Sequence, residues 1–121
     1  MRRVKHEDSK TRDAKRRTRG RVAGAVFAAV RAHRGLTPTE VATAGDMHRA
    51  ALWAVEAGEQ HFRSSVLRGS LAQAYGVRRE IVDILIDTET IPIETIAEAF
   101  ALPVETVRKA IDGALSQNEA A

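Results

Sequence analysis

The sequence predicts an all-α fold, and three observations carry that expectation. The chain is 44% hydrophobic but only 4% aromatic, so Ala, Leu and Val dominate and favour close helix–helix packing over a sheet sandwich. Apolar residues recur at helical spacing, with Val22, Val26 and Val30 at i, i+4 and i+8 and Ala23, Phe27 and Ala29 widening the stripe. Helix punctuation also recurs: Thr37 and Glu40 have the spacing of a capping box around Pro38, Gly35 and Gly58 stand at helix ends, and Pro92 and Pro103 supply further starts. A chain of 121 residues is expected to form one domain with room for a small second module.

Taken in order, residues 1–13 hold too little apolar content to bury anything and are expected to form a disordered basic arm. A helix becomes feasible from Ala14 and is expected from Val22 up to Gly35. A short helix then starts at Thr37, with Val41 and Ala42 facing inward, and Gly45-Asp46 interrupts it. Met47 follows as a buried turn residue, and Leu52 and Val55 repeat at helical spacing in a second short helix that Gly58 ends. Two short helices joined by a tight turn make a helix-turn-helix. Residues 59–63 are expected to form a loop, and residues 64–75 a helix with Val66, Leu67, Leu71, Ala74 and Tyr75 toward the core, where Gly69 costs about 1 kcal/mol relative to Ala. A fifth helix is expected over 79–87, where Ile81, Val82, Ile84, Leu85 and Ile86 form a dense apolar run.

After a break at 88–90, two more helices are expected, over 92–101 and 103–115. Here Val41-Ala42, Asp46-Met47 and Leu52 recur as Ile96-Ala97, Ala101-Leu102 and Val107, each displaced by 55 residues. The segment therefore reads as a second helix-turn-helix-like pair. The expected organisation is an arm (1–13), a helix-turn-helix domain (14–87), a C-terminal helical pair (88–116) and a disordered tail (117–121).

The stretch from Leu36 to Gly58 resembles the phage repressor and Cro family of DNA-binding domains, also called the xenobiotic-response-element family. The resemblance covers residues 22–77. It rests on Leu36-Thr37, Val41-Ala42, Gly45-Asp46-Met47, Arg49, Leu52, Val55-Glu56 and Gly58, followed by the run from Leu71 to Val77. It implies a small bundle with a lambda-repressor-like helix-turn-helix. Two features depart from the family pattern. Asp46 stands where Gly is usual, at a position expected to need positive φ. Trp53 and the alanines at 50, 51, 54 and 57 replace polar residues on the second helix. The arrangement as a whole also resembles some phage immunity repressors, in which a further helical module touches DNA.

By that resemblance the second helix enters the major groove of double-stranded DNA, with His48, Arg49, Ala50, Trp53 and Ala54 at the base-reading positions. Arg49 can take guanine O6 and N7 bidentately, His48 can donate to a base or phosphate, and Ala50 or Ala51 can touch a thymine methyl. Trp53 is open between a groove contact, a partner contact and core packing. Backbone phosphates are expected to meet Arg31, Arg34, Thr37, Arg63 and Arg68. Arg12, Lys15, Arg16, Arg17, Arg19 and Arg21 of the basic stretch would neutralise phosphates without reading sequence. A sharper alternative places Arg16, Arg17 or Arg19 in a minor groove. In the C-terminal pair, Val104, Glu105, Thr106, Arg108 and Lys109 would occupy a second reading helix. Packing on the first domain, or homodimerisation through Ile91, Ile93, Ile96, Phe100, Leu102 and Ile111, is favoured over that second contact.

Charge is graded along the chain. Residues 2–21 hold ten Lys/Arg against three Asp/Glu, residues 22–79 seven against four, and residues 80–121 two against nine. The front of the chain is thus expected to face a polyanion, and the acidic end solvent, a partner or the chain's own basic surface. Enzymatic readings find little: there is no Cys, the four histidines are scattered, and no Gly-rich phosphate loop or HExxH is present, so neither a metal nor another cofactor is expected. No run approaches membrane-spanning length, and a cytoplasmic or nucleoid location in a bacterial cell is expected. The expected function is a DNA-binding transcriptional regulator, most simply a repressor that occupies its operator. An antitoxin-type autoregulator and a helical protein-interaction module without sequence-specific DNA binding are the alternatives.

Overall fold

The computed structural model describes residues 9–59 and 62–120. Among these there are seven helices and no strand: α1 (Ser9–Arg34), α2 (Pro38–Ala44), α3 (Arg49–Glu56), α4 (Ser65–Tyr75), α5 (Arg79–Asp87), α6 (Ile93–Phe100) and α7 (Val104–Ala120). The all-α expectation holds.

Helix α1 is longer than its apolar stripe required. Its second half is the spine of the core, with Val22, Ala23, Val26, Phe27 and Val30 all buried. Its first half begins at Ser9, inside the stretch expected to be a disordered arm, whose first eight residues lie outside the described part. The physical reason is propagation: once the buried half is nucleated, each further Lys, Arg or Ala adds a helical hydrogen bond at little cost in propensity. Gly35 closes the helix at φ +68°, where its N–H donates to the Ala32 carbonyl and the Leu36 N–H reaches back to Arg31, both at 3.1 Å.

The capping box of α2 is formed. The Thr37 hydroxyl accepts from the Glu40 N–H at 3.1 Å, and the Glu40 carboxylate accepts from the Thr37 N–H at 2.8 Å. The bond from the Thr37 N–H, and after it the Thr37 hydroxyl beside the carboxylate, hold the Glu40 carboxyl below its ordinary pKa. The turn follows with Asp46 at φ 53°, as its place in the motif predicted. Gly45 is needed for close approach: a Cβ there would lie 2.7 Å from the Ser70 carbonyl oxygen. In α3, Leu52 and Val55 point inward. The end of α3 passes directly over Gly24 of α1, where a Cβ would fall 2.1 Å from the Val55 oxygen.

Phe62 lies in the loop before α4, as the sequence predicts, yet it is buried and packs on Phe27 with ring centroids 6.5 Å apart. One expectation about α4 is corrected. Val66, expected in the core, is 80% exposed. Ser64 caps α4 through the Leu67 N–H, and this register sends Leu71, Ala72 and Tyr75 inward. Leu67 is half-buried on the same side. Val66, one residue and about 100° away from Leu67, is turned to solvent.

The C-terminal pair is not a separate layer. Helix α7 packs along α1, and its helical backbone continues to Ala120, past the point where fraying was expected. Phe27 stands at the centre of one aromatic cluster, with centroid distances of 5.1 Å to Tyr75 and 6.1 Å to Phe100. Ile96, Phe100 and Leu102, expected as part of a dimer surface, are buried in this core, while Ile91, Ile93 and Ile111 pack half-buried against it. A chain with so few aromatics concentrates them where three helices meet, since each ring buries more area than any aliphatic side chain.

Among the described residues the helix-turn-helix corner occurs three times. Met47, Val77 and Leu102 donate their N–H groups to the carbonyls of Ala42, Ala72 and Ala97, at 2.9, 3.0 and 2.8 Å. The residue before each has positive φ: Asp46 at 53°, Gly76 at 68° and Ala101 at 59°. Leu52, Val82 and Val107 are then fully buried in the helix that follows. The 55-residue repeat was legible in the sequence; the middle corner, α4–α5, has the same register and was missed.

Candidate nucleic-acid interface

Helix α3 is anchored by Leu52 and Val55 and presents the opposite face outward. His48, its N-cap, and Arg49, Ala50 and Trp53 are exposed, and together with Pro38 of α2 they line a shallow concavity. Trp53 is 67% exposed, which settles the open alternatives against core packing. The Arg49 Nη1 donates to the Thr39 hydroxyl over a long 3.4 Å. So weak a bond leaves the guanidinium free to turn toward a ligand. Ala54 is half-buried and belongs to the edge of this face, not its centre.

The five expected phosphate contacts divide. Arg31 is engaged within the fold: its Nε and Nη2 donate to the two Glu56 oxygens at 2.7 and 3.0 Å, and its Nη1 to the Leu36 carbonyl at 3.1 Å. The hydrogen bond to Glu56 raises the Arg31 pKa in spite of partial burial. This fork ties the end of α1 to the end of α3.

Arg34 donates to the Tyr75 carbonyl at 3.0 Å and to the Phe100 carbonyl at 3.3 Å, with its guanidinium 6.0 Å from the Tyr75 ring centroid. These carbonyls occupy the same position in the second and third corners, so one arginine closes two helix ends. Arg68 donates to the Phe62 carbonyl at 2.8 Å and forks onto Asp87 at 2.8 and 2.9 Å, with Asp83 also at 2.8 Å. Its guanidinium pKa is raised and the Asp87 carboxyl is held below the usual range, in each case chiefly by their mutual hydrogen bond. Arg31, Arg34 and Arg68 therefore act as internal fasteners. Each faces carbonyls or carboxylates that only the tertiary fold brings within reach.

Thr37 and Arg63 remain exposed. The Thr37 oxygen is used as a cap acceptor, but its O–H can still donate to a phosphate.

The basic residues of α1 sort onto two sides. Arg16, Arg17 and Arg21 line a surface groove with Arg63, beside Ala57 and Gly58 at the end of α3, in the company of Asp13 and Glu59. Arg16 also lies 3.7 Å from Asp13. Lys15 and Arg19 turn toward the loop after α5, where Lys15 is 3.8 Å from Glu89. Arg12 is exposed near the start of the helix. The acidic end of the chain thus neutralises one side of the helix and leaves the side next to α3 basic.

At the third corner, Glu105 and Lys109 are exposed at the start of α7, Val104, Thr106 and Arg108 are half-buried, and Arg108 is 3.6 Å from Glu105. The corner keeps the backbone geometry of the first, but Glu94, Glu98 and Glu105 surround it with negative charge.

Among the described residues, no helix is long and apolar enough to cross a membrane. No curated protein and no solved structure matches the chain. Residues 22–83 match the family described as a helix-turn-helix domain, which takes in the first two corners, the Arg31–Glu56 fork and the exposed face of α3. That match spans just over half of the 121 residues, and the chain belongs to the helix-turn-helix domain family.

Proposed function

We propose that the chain is a sequence-specific DNA-binding transcriptional regulator of the phage repressor and Cro type, acting as a repressor by occupying an operator in a bacterial cell. The observation that carries this reading is the free face of α3, where His48, Arg49, Ala50 and Trp53 stand out from the start of the second helix of the motif. That is the part of a helix-turn-helix that meets base edges in a major groove. Arg49 would take a guanine bidentately, worth about 1–3 kcal/mol of discrimination. Arg16, Arg17, Arg21 and Arg63 form a basic rail beside the end of α3, suited to the phosphates flanking the groove. The burial of Ile96, Phe100 and Leu102 within one chain argues against a homodimer built on those residues. The acidic surface of the third corner favours a packing role for α6 and α7.

Selection of bound sequences from a random double-stranded pool at about 150 mM salt tests the reading, because non-specific phosphate binding is weakened there. One enriched site is expected. Arg49→Ala should relax preference at one base pair, whereas Arg16→Ala with Arg17→Ala should weaken binding to all DNA and flatten the salt dependence. Failure to enrich any sequence would refute the reading and favour the protein-interaction module. A toxin co-purifying with the chain would favour the antitoxin.

A further inference from the structure

Helices α1, α5, α6 and α7, with the segment 88–92 that links α5 to α6, border a cleft of about 300 Å³. Its walls are apolar. Val22 and Leu85 are buried there, Ile91, Ile93 and Ile111 are half-buried, and Leu115 is 40% exposed. The volume is about twice that of a cavity of about 150 Å³ lined by Leu, Ile and Phe that takes up benzene, which by proportion is room for roughly a dozen non-hydrogen atoms. None of the lining residues stands on α3, and only Val22 among them falls within the family match over residues 22–83. The cleft therefore belongs to what this chain adds around its helix-turn-helix.

The polar side chains at the cleft are Thr18, Arg19, Thr88, Glu89 and Thr90. Their charges do not simply cancel. Glu89 has a partner in Lys15 at 3.8 Å, and Asp87, at the end of α5, is forked by Arg68 at 2.8 and 2.9 Å. Arg19 is half-buried and makes no hydrogen bond or ion pair among the described residues. A guanidinium beside an aliphatic wall, with the neighbouring carboxylates engaged elsewhere, suits an anion tethered to hydrocarbon. The Thr88 and Thr90 hydroxyls can donate to further lone pairs of such an anion.

We propose that this cleft is a binding site for a small monocarboxylic acid with an apolar body, its carboxylate on Arg19 and its hydrocarbon against Leu85, Ile91, Ile93, Ile111 and Leu115. A cationic head on the same body would meet the like charge of Arg19 and be rejected. Such binding is independent of whether α3 reads DNA.

Isothermal titration calorimetry of the full chain with octanoate, octanamide and octylammonium tests this, because the three share an apolar chain and differ in the charge of the head. One saturable site with a Kd of about 1 mM or tighter is expected for octanoate. Octanamide should bind roughly fivefold more weakly, the range open to a partly exposed ion pair, and octylammonium more weakly still. Arg19→Gln should bring octanoate to the level of octanamide and leave octanamide unchanged. Leu115→Glu should weaken octanoate at least about tenfold, through lost apolar contact and a like charge. Both variants should melt with the parent, since Arg19 holds no partner among the described residues and Leu115 is 40% exposed. If Leu115→Glu lowers the Tm, Arg19→Gln alone decides.

Absence of saturable octanoate binding well above that Kd would overturn the proposal. Equal affinity for the three heads, or an octanoate affinity unchanged in Arg19→Gln, would do the same, and an unchanged affinity in a folded Leu115→Glu would put the ligand elsewhere on the chain. A second copy of the chain is the competing occupant: a dimer in sedimentation that Leu115→Glu dissociates would make the cleft an interface and remove the small-molecule site.

Discussion

Replacing Glu56 by Gln keeps the shape of the side chain and removes the charge that Arg31 grips. The Arg31 and Glu56 side chains are 23% and 14% exposed, and their two charge-assisted bonds are 2.7 and 3.0 Å long. Breaking a largely buried pair by neutralising one partner costs about 3–5 kcal/mol where nothing else compensates. Arg31 keeps its bond to the Leu36 carbonyl, and the Gln carbonyl can still accept one bond, so about 2–3 kcal/mol is expected. At about 2.1 cal/mol/K of unfolding entropy per residue, the chain would lose roughly 4 °C of Tm for each kcal/mol, or about 8–12 °C.

Urea titration followed by far-UV circular dichroism gives the free energy, and a thermal melt gives the Tm. The double variant Arg31→Met with Glu56→Leu should recover most of the loss, because apolar side chains of similar volume can fill the same space without an unpaired charge. A loss under 0.5 kcal/mol for Glu56→Gln, or a double variant whose cost equals the sum of the two single costs, would refute the view of the pair as a coupled fastener of α1 to α3.

Four further outcomes follow from the geometry. Gly24→Ala would drive a Cβ to 2.1 Å from the Val55 carbonyl oxygen, which belongs to the backbone and cannot swing aside. It should destabilise by about 3 kcal/mol, the upper end for overpacking, as read by urea midpoint. Tyr75→Phe should leave stability unchanged or raise it by up to about 1 kcal/mol, because the Tyr75 hydroxyl is buried with no hydrogen-bond partner among the described residues. Burial also pushes the Tyr75 pKa up, so alkaline spectrophotometric titration of the parent should show no phenolate until the fold is lost.

The last concerns acid. The Asp87 carboxyl is held below its ordinary value, mainly by its hydrogen bond from Arg68, so the stabilisation is complete above the unfolded carboxyl pKa. It disappears as pH falls through the folded value, and Asp87→Asn should flatten the decline in Tm below about pH 4. An unchanged acid profile in that variant would count against the coupling.

The local grammar of this chain was written in its sequence. Thr37 and Glu40 specified a capping box, Gly35 and Asp46 marked positions of positive φ, and the 55-residue repeat revealed the third corner, because caps, turns and helical stripes depend on residues at most a turn or two apart. The resemblance to the phage repressor and Cro family, not the local grammar, pointed to the face of α3 on which His48, Arg49, Ala50 and Trp53 stand. Its alanine-rich middle left only the exposure of Trp53 open.

Tertiary structure alone decided which arginines are free. Arg31 meets Glu56 across 25 positions, Arg34 meets the Phe100 carbonyl across 66, and Arg68 meets Asp87 across 19. A guanidinium has the same composition and flanks whether it grips a phosphate or a helix end, so nothing local distinguishes the two. Phe62 entered the core for a similar reason: its loop gave no periodicity to read, and only the position of Phe27 gave it something to pack against. From Ser9 onward the basic stretch is helical because its neighbours in space, α7 and the end of α3, anchor the half of α1 from which it extends. Helix signals travel a few residues along a chain, whereas the partner of a charge or a ring is settled by where distant segments come to rest.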